Sequence, residues 1–104
     1  MGKTYFISRH PGAVTWAARR GIPVDRTLDH LEIELVHPGD TVIGTLPINL
    51  VARVCERGGR YLHLSLSLPP ELRGQELSAE TLERLGARLE EYEAVRKPCP
   101  EARK

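Results

Sequence analysis

The chain has 104 residues, enough for one compact domain and too few for two, because independent domains usually run to roughly 100–150 residues. Lys and Arg number 15 against 14 Asp and Glu, a net charge of +1, which excludes a polybasic surface that would grip duplex DNA through many phosphates. Hydrophobic residues make up 40% of the chain, yet no apolar run approaches the ~20 residues of a membrane span, so a transmembrane role is excluded as well.

Met1-Gly2-Lys3 leads directly into a strand-like segment, with no apolar leader of secretory length, and a cytoplasmic protein is expected. Thr4 to Ser8 is a short β-branched and aromatic run closed by Arg9-His10-Pro11-Gly12, which a strand cannot easily continue. Ala13 to Arg20 suits a short helix, with Pro11 or Gly12 near its start and Gly21 just past its end. Val24 to His30 fits a second strand, and Leu31 to Val36 has mixed spacing that suits a helical turn or an extended connection. After the His37-Pro38-Gly39-Asp40 turn, Thr41 to Leu46 is apolar on both alternating sets near its middle, as expected of a central strand. Pro47 then opens a helix to Arg57, with Leu50, Val51, Val54 and Cys55 at helical spacing and Gly58-Gly59 at its end. Tyr61 to Leu68 alternates with period two and breaks at Pro69-Pro70. A last helix is expected from about Ser78 to Val95, its stripe made of Leu82, Leu85, Leu89 and Tyr92.

Strands alternating with helices imply a parallel sheet, because parallel neighbours need a long return path. The expected fold is a small Rossmann-like α/β domain over residues 1–96, with about four mostly parallel strands flanked by helices and a disordered tail at 97–104. Cys55 in a predicted helix and Cys99 in the Pro-flanked tail make neither a disulfide framework nor a metal knot, and both are expected as reduced thiols.

In open parallel sheets, ligands bind beyond the carboxyl ends of the strands. The first strand delivers Ser8, Arg9 and His10 to that edge, the next Gly44, Thr45 and Asn49, and the following one Ser65 and Ser67. This set holds a guanidinium, an imidazole, hydroxyls and an amide but few carboxylates, so it suits a phosphate better than a cation. Helices beginning near Gly12 and Pro47 offer unpaired N–H groups, and Gly12 and Gly44 let a ligand approach the backbone closely. Arg9 has the fork to clamp two phosphate oxygens, and His10 supplies an imidazole, the side-chain type suited to passing a proton near neutral pH. No metal site is expected: His10, His30, His37 and His63 lie 20, 7 and 26 positions apart, without zinc-ligand spacing. The acidic pair Asp25 and Asp29 is a weak alternative.

Each of these residues has a plainer reading. Arg9 suits a solvated loop, His10 a loop histidine bonded to a carbonyl, and Thr45 and Asn49 helix caps. His63, mid-strand among leucines, reads better as a core or interface histidine, and Trp16 better as packing than as a base-stacking platform. No G-x-G-x-x-G or G-x-x-x-x-G-K-[ST] run is present, which disfavours a dinucleotide cofactor or a nucleoside triphosphate motor, and no cofactor is expected.

Three blocks carry a resemblance: Tyr5 to Ala13 (YFISRHPGA), Gly39 to Pro47 (GDTVIGTLP) and Arg60 to Leu64 (RYLHL). Together they resemble the small CRISPR-associated accessory proteins of type III systems, which are related in fold to sensor domains for cyclic oligoadenylates, over about residues 4–93. The resemblance implies a ring nuclease that cleaves cyclic tetra-adenylate, with Arg9 and His10 catalytic and with Ser8, Gly12, Gly44, Thr45, Asn49 and Ser65 binding the ligand. It implies linear products ending in 2′,3′-cyclic phosphate and no metal. A four-phosphate ring is large for one such subunit and its symmetry matches a twofold axis, so a homodimer is expected, with the long last helix as a candidate contact. The rival readings are a module that binds or sequesters the ring without cutting it, and a scaffold subunit with no nucleotide site.

Overall fold

The computed structural model describes residues 2–99. It contains β1 (Thr4–Ile7), α1 (Pro11–Arg19), β2 (Arg26–Leu28), β3 (Thr41–Gly44), α2 (Ile48–Glu56), β4 (Arg60–Ser65), α3 (Ala79–Arg84) and β5 (Arg88–Tyr92), with single 3₁₀ turns at Ile33–Leu35 and Pro70–Leu72. All five strands form one sheet in the order β2-β1-β3-β4-β5, parallel except for β5, which pairs antiparallel with β4. Helices cover both faces, and the molecule is a small Rossmann-like α/β domain with one strand more than expected.

The pleat divides the core in two. Phe6 and Ile43 point to the face covered by α1 and α3, where they join Ala13, Trp16, Leu64 and Leu82. Tyr5, Val42 and Tyr61 point to the α2 face, with Val36, Val51 and Val54. Because β1 and β3 sit in mid-sheet, adjacent residues on them are buried on opposite sides, which explains their unbroken apolar runs. Trp16 is 1% exposed, and its part in packing is settled. Both cysteines are free thiols.

The expected helix from Ser78 to Val95 is two elements. Ser78 caps α3 by accepting from the Thr81 amide at 3.1 Å, and the helix stops within two turns. The Gly86 amide donates to Glu83 O at 3.1 Å and the Ala87 amide to Leu82 O at 3.0 Å, the paired bonds of a Schellman ending, with Gly86 at φ +75°. Arg88 onward is then extended, Leu89 lying opposite Leu64 and Tyr92 opposite Tyr61. Leucines at 82, 85 and 89 mimic one helical stripe, but Leu82 packs from a helix and Leu89 from a strand. The last helix is therefore withdrawn as a dimer contact. The second strand is also shorter than Val24 to His30, and the mixed segment after it carries the 3₁₀ turn at Ile33–Leu35. Residues 97–99 are exposed and without regular structure, and the remainder of the expected tail, 100–104, lies outside the described residues.

Asp40, at the opposite edge of the sheet, holds the N-terminal segment in place. It is 5% exposed and accepts from the Lys3 amide at 2.9 Å and the His37 amide at 3.0 Å. The Lys3 amide bond, aided by the His37 amide and opposed by burial, holds its carboxyl below the usual carboxylate range. Its folded value thus lies below its unfolded one. This stabilisation is fully present above about pH 4 and is lost as pH falls through the folded value. Asp40→Ala orphans two amides, and urea unfolding at pH 7 is expected to show a loss of about 2–4 kcal/mol that narrows on acidification.

Candidate functional site

β1 and β3 are neighbours, with Phe6 opposite Ile43, and the chain leaves them in opposite directions, to α1 and β2 on one side and to α2 and β4 on the other. This divergence opens a crevice beyond their carboxyl ends, the topological switch point of a doubly wound sheet. Arg9 and His10 meet Thr45 there, around a cavity of about 440 Å³ bordered also by Asp29, His30 and Pro47. His10 and Thr45 border a second cavity, of about 260 Å³, with Ser8, Gly44, Leu66 and Gln75. Thr45 reaches a third, of about 700 Å³, with His63, Ser65, Arg88, Glu90 and Tyr92. The exposed Thr45 side chain is thus the point at which all three meet.

Arg9 is exposed, and its Nη2 lies 3.2 Å from each ring nitrogen of His30, beyond the end of β2. His30 was not among the expected site residues, although its place at the end of a predicted strand was the signal for it. The His10 ring is exposed, while its backbone amide donates to Ser8 Oγ at 3.0 Å. The Ser8 hydroxyl therefore shapes the entry to α1. Pro11 sits in the first turn of that helix, where its missing N–H costs nothing.

Neither α1 nor α2 has a side-chain cap at its N-terminus. The reading of Thr45 and Asn49 as caps fails: Pro47 occupies the capping position of α2, and Asn49 is exposed in the first turn. The Leu50 and Val51 amides return to Pro47 O at 3.0 and 3.1 Å, which leaves the Ile48 and Asn49 amides at the start of α2 to solvent or a ligand beside Thr45.

Two glycines serve packing. A Cβ on Gly12 would collide with the Leu77 carbonyl, so the close approach there is made by the chain itself and not by a ligand. A Cβ on Gly44 would lie 3.0 Å from Ile7 O, so its lack of a side chain lets β1 and β3 come together at the crevice.

The Tyr61 hydroxyl, reaching from β4, is 2.9 Å from Gly44 O and 2.9 Å from the Leu46 amide, and so pins the turn that presents Thr45. Burial raises its pKa above the ordinary phenol value. This residue was missed, since a tyrosine in an alternating strand signals only core. Ser65 is separate from the Arg9 rim and belongs to the third cavity. There Ser65 first, then Arg88 and Tyr92, hold the Glu90 carboxyl below its usual range. Ser67 follows the end of β4, its amide bonded to Leu85 O at 3.0 Å.

Among the described residues no group of three or more His, Cys, Asp or Glu side chains is placed to hold a metal ion. No helix among them is long and apolar enough to cross a membrane.

The model of one protein family, described as "Putative CRISPR-associated protein (Cas_VVA1548)", matches residues 5–95. No curated protein and no solved structure matches the chain.

Proposed function

We propose a function from the premise that the chain belongs to this CRISPR-associated family: it is a ring nuclease of type III systems that binds cyclic tetra-adenylate and cleaves it without a metal. The observation that carries the reading is the cavity in which Arg9, His10 and Thr45 converge beside the uncapped start of α2. Guanidinium, imidazole, hydroxyl and free amides in one crevice form a receptor for a phosphodiester.

Cyclic oligoadenylate carries its own nucleophile, a ribose 2′-hydroxyl beside each phosphate, so the enzyme has mainly to align that oxygen with the phosphorus and the leaving oxygen. Arg9 and the α2 amides oppose the charge that grows on the equatorial oxygens. His10 transfers a proton, an effect worth about 10²–10⁴ in rate. The products are linear adenylates with a 2′,3′-cyclic phosphate, and their formation ends the signal. A homodimer doubles the crevice across a twofold axis and matches the symmetry of the ring.

The test is incubation of purified protein with labelled cyclic tetra-adenylate in excess EDTA, followed by separation of products. Linear adenylates with a cyclic phosphate terminus are expected. An intact ring that co-purifies with the protein after prolonged incubation would mean a sequestering module, and no association at all would mean a scaffold.

A further inference from the structure

Tyr61 and His63 alternate on β4 and project to the α2 face, where their side chains close a hydrogen-bonded chain at the end of β3. The Tyr61 hydroxyl is 2.7 Å from His63 Nδ1, in addition to its bonds to Gly44 O and the Leu46 amide. A phenol has one proton to give. The Leu46 amide only donates and the Gly44 carbonyl only accepts, so with the phenol proton on Gly44 the hydroxyl oxygen accepts from both Leu46 and His63. In that arrangement His63 Nδ1 is the N–H donor. In a neutral imidazole the other nitrogen, Nε2, is left with the lone pair.

The ring is held at this angle from both sides. It meets Tyr61 edge-on at 5.8 Å between centroids and Tyr92 at 5.9 Å. It is half-buried and borders the third cavity with Thr45. The charged and titratable groups around that cavity are Tyr61 on the same strand, with Arg88, Glu90, Tyr92 and Glu93 from β5 and its continuation. From α2 come only Ile48 and Val51.

His63 lies in register with Gly44 on the strand beside β3, and His10 follows the strand on its other side. The two histidines therefore lie to either side of Thr45, His10 bordering the first two cavities and His63 the third. A phosphodiester seated at Thr45, where the three cavities meet, has one imidazole to each side.

We infer that His63, fixed by Tyr61 as the Nδ1–H tautomer, is the general base of the site. The inference rests on the ring-nuclease reading and adds the second proton-transfer group that reading lacks. His63 Nε2 takes the ribose 2′-hydroxyl proton, O2′ bonds to phosphorus, and the P–O5′ bond breaks with its electron pair on O5′. The imidazolium form of His10 gives a proton to O5′, and the two rings then exchange protons with water. Tyr61 touches no reacting atom and is a positioning residue.

Two measurements test this. Ring ¹⁵N chemical shifts of His63, taken with the ring neutral, are expected to show Nδ1 protonated and Nε2 bare, with that preference lost in Tyr61→Phe. A protonated Nε2 in the wild type overturns the assignment. In His63→Asn the side-chain amide still reaches Tyr61 but has no base at the Nε2 position. Cleavage of cyclic tetra-adenylate is expected to fall about 10²–10⁴-fold, and the ascending limb of the pH–rate profile to flatten. Binding of a ring whose 2′-hydroxyls are methylated is expected to change little. His63→Asn cutting at the wild-type rate overturns the base role alone. A wild type that binds the ring and never cuts it overturns the ring-nuclease reading and the base role together.

Discussion

Arg9→Ala is expected to slow cleavage of cyclic tetra-adenylate by about 10²–10³-fold, the loss seen when one preorganised donor to a developing oxyanion is removed. Affinity for a methylated, uncleavable ring should fall by only about tenfold, as for one charge-assisted hydrogen bond open to water. The difference arises because the guanidinium faces more charge in the transition state than in the bound ring. Arg9→Lys keeps the charge and loses the fork, so its rate should fall between wild type and alanine. Arg9 is exposed and its one side-chain contact, with His30, lies at the surface, so the urea midpoint should stay within the scatter of surface substitutions. Parallel measurement of single-turnover rates and of binding decides the matter: equal losses in both would leave a module that sequesters the ring.

Trp16→Ala is expected to be the most destabilising single replacement in the core, at about 3–5 kcal/mol in urea unfolding. Trp16 is 1% exposed and packs with Phe6, Ala13, Ala17 and Leu82, joining α1 to both the sheet and α3. The Arg20 guanidinium lies over the indole at 5.2 Å from its centroid and is itself paired with Glu83 of α3 at 2.5 Å. Removing the indole therefore opens a cavity beneath that surface pair. The loss is a large share of the roughly 5–15 kcal/mol that holds a domain of this size. His10 stands at the N-terminal cap of α1, so activity should fall with the population of folded protein and recover under stabilising conditions. Arg9→Ala should show no such recovery. A midpoint shift below about 1 kcal/mol would mean that α1 is held mainly by other contacts.

Much of this molecule was legible in its sequence wherever a segment carries its own punctuation. Pro11 and Gly21 bracket α1, Pro47 and Gly58 bracket α2, and the apolar runs at Tyr5 to Ile7 and Val42 to Gly44 are strands because only mid-sheet positions bury consecutive residues on both faces. From those elements and the strand-end rule, the meeting of Arg9 and His10 with Thr45 could be anticipated. Local sequence determined these elements because backbone preference and apolar spacing act within a few residues, and nothing distant competed with them.

Only the tertiary structure decided the rest. Arg88 to Tyr92, with Glu90 and Glu91 in its middle, has no strand signal of its own, and it is extended because β4 offers an unpaired edge from Tyr61 to Ser65. Gly12 serves the packing of Leu77 because a loop returns more than sixty positions later in the chain to lie against it. The Tyr61 hydroxyl holds the turn at Thr45 and orients His63 because parallel pairing brings Gly44 level with His63. Such contacts depend on register and on long-range return of the chain, and residue spacing along a single segment does not encode them.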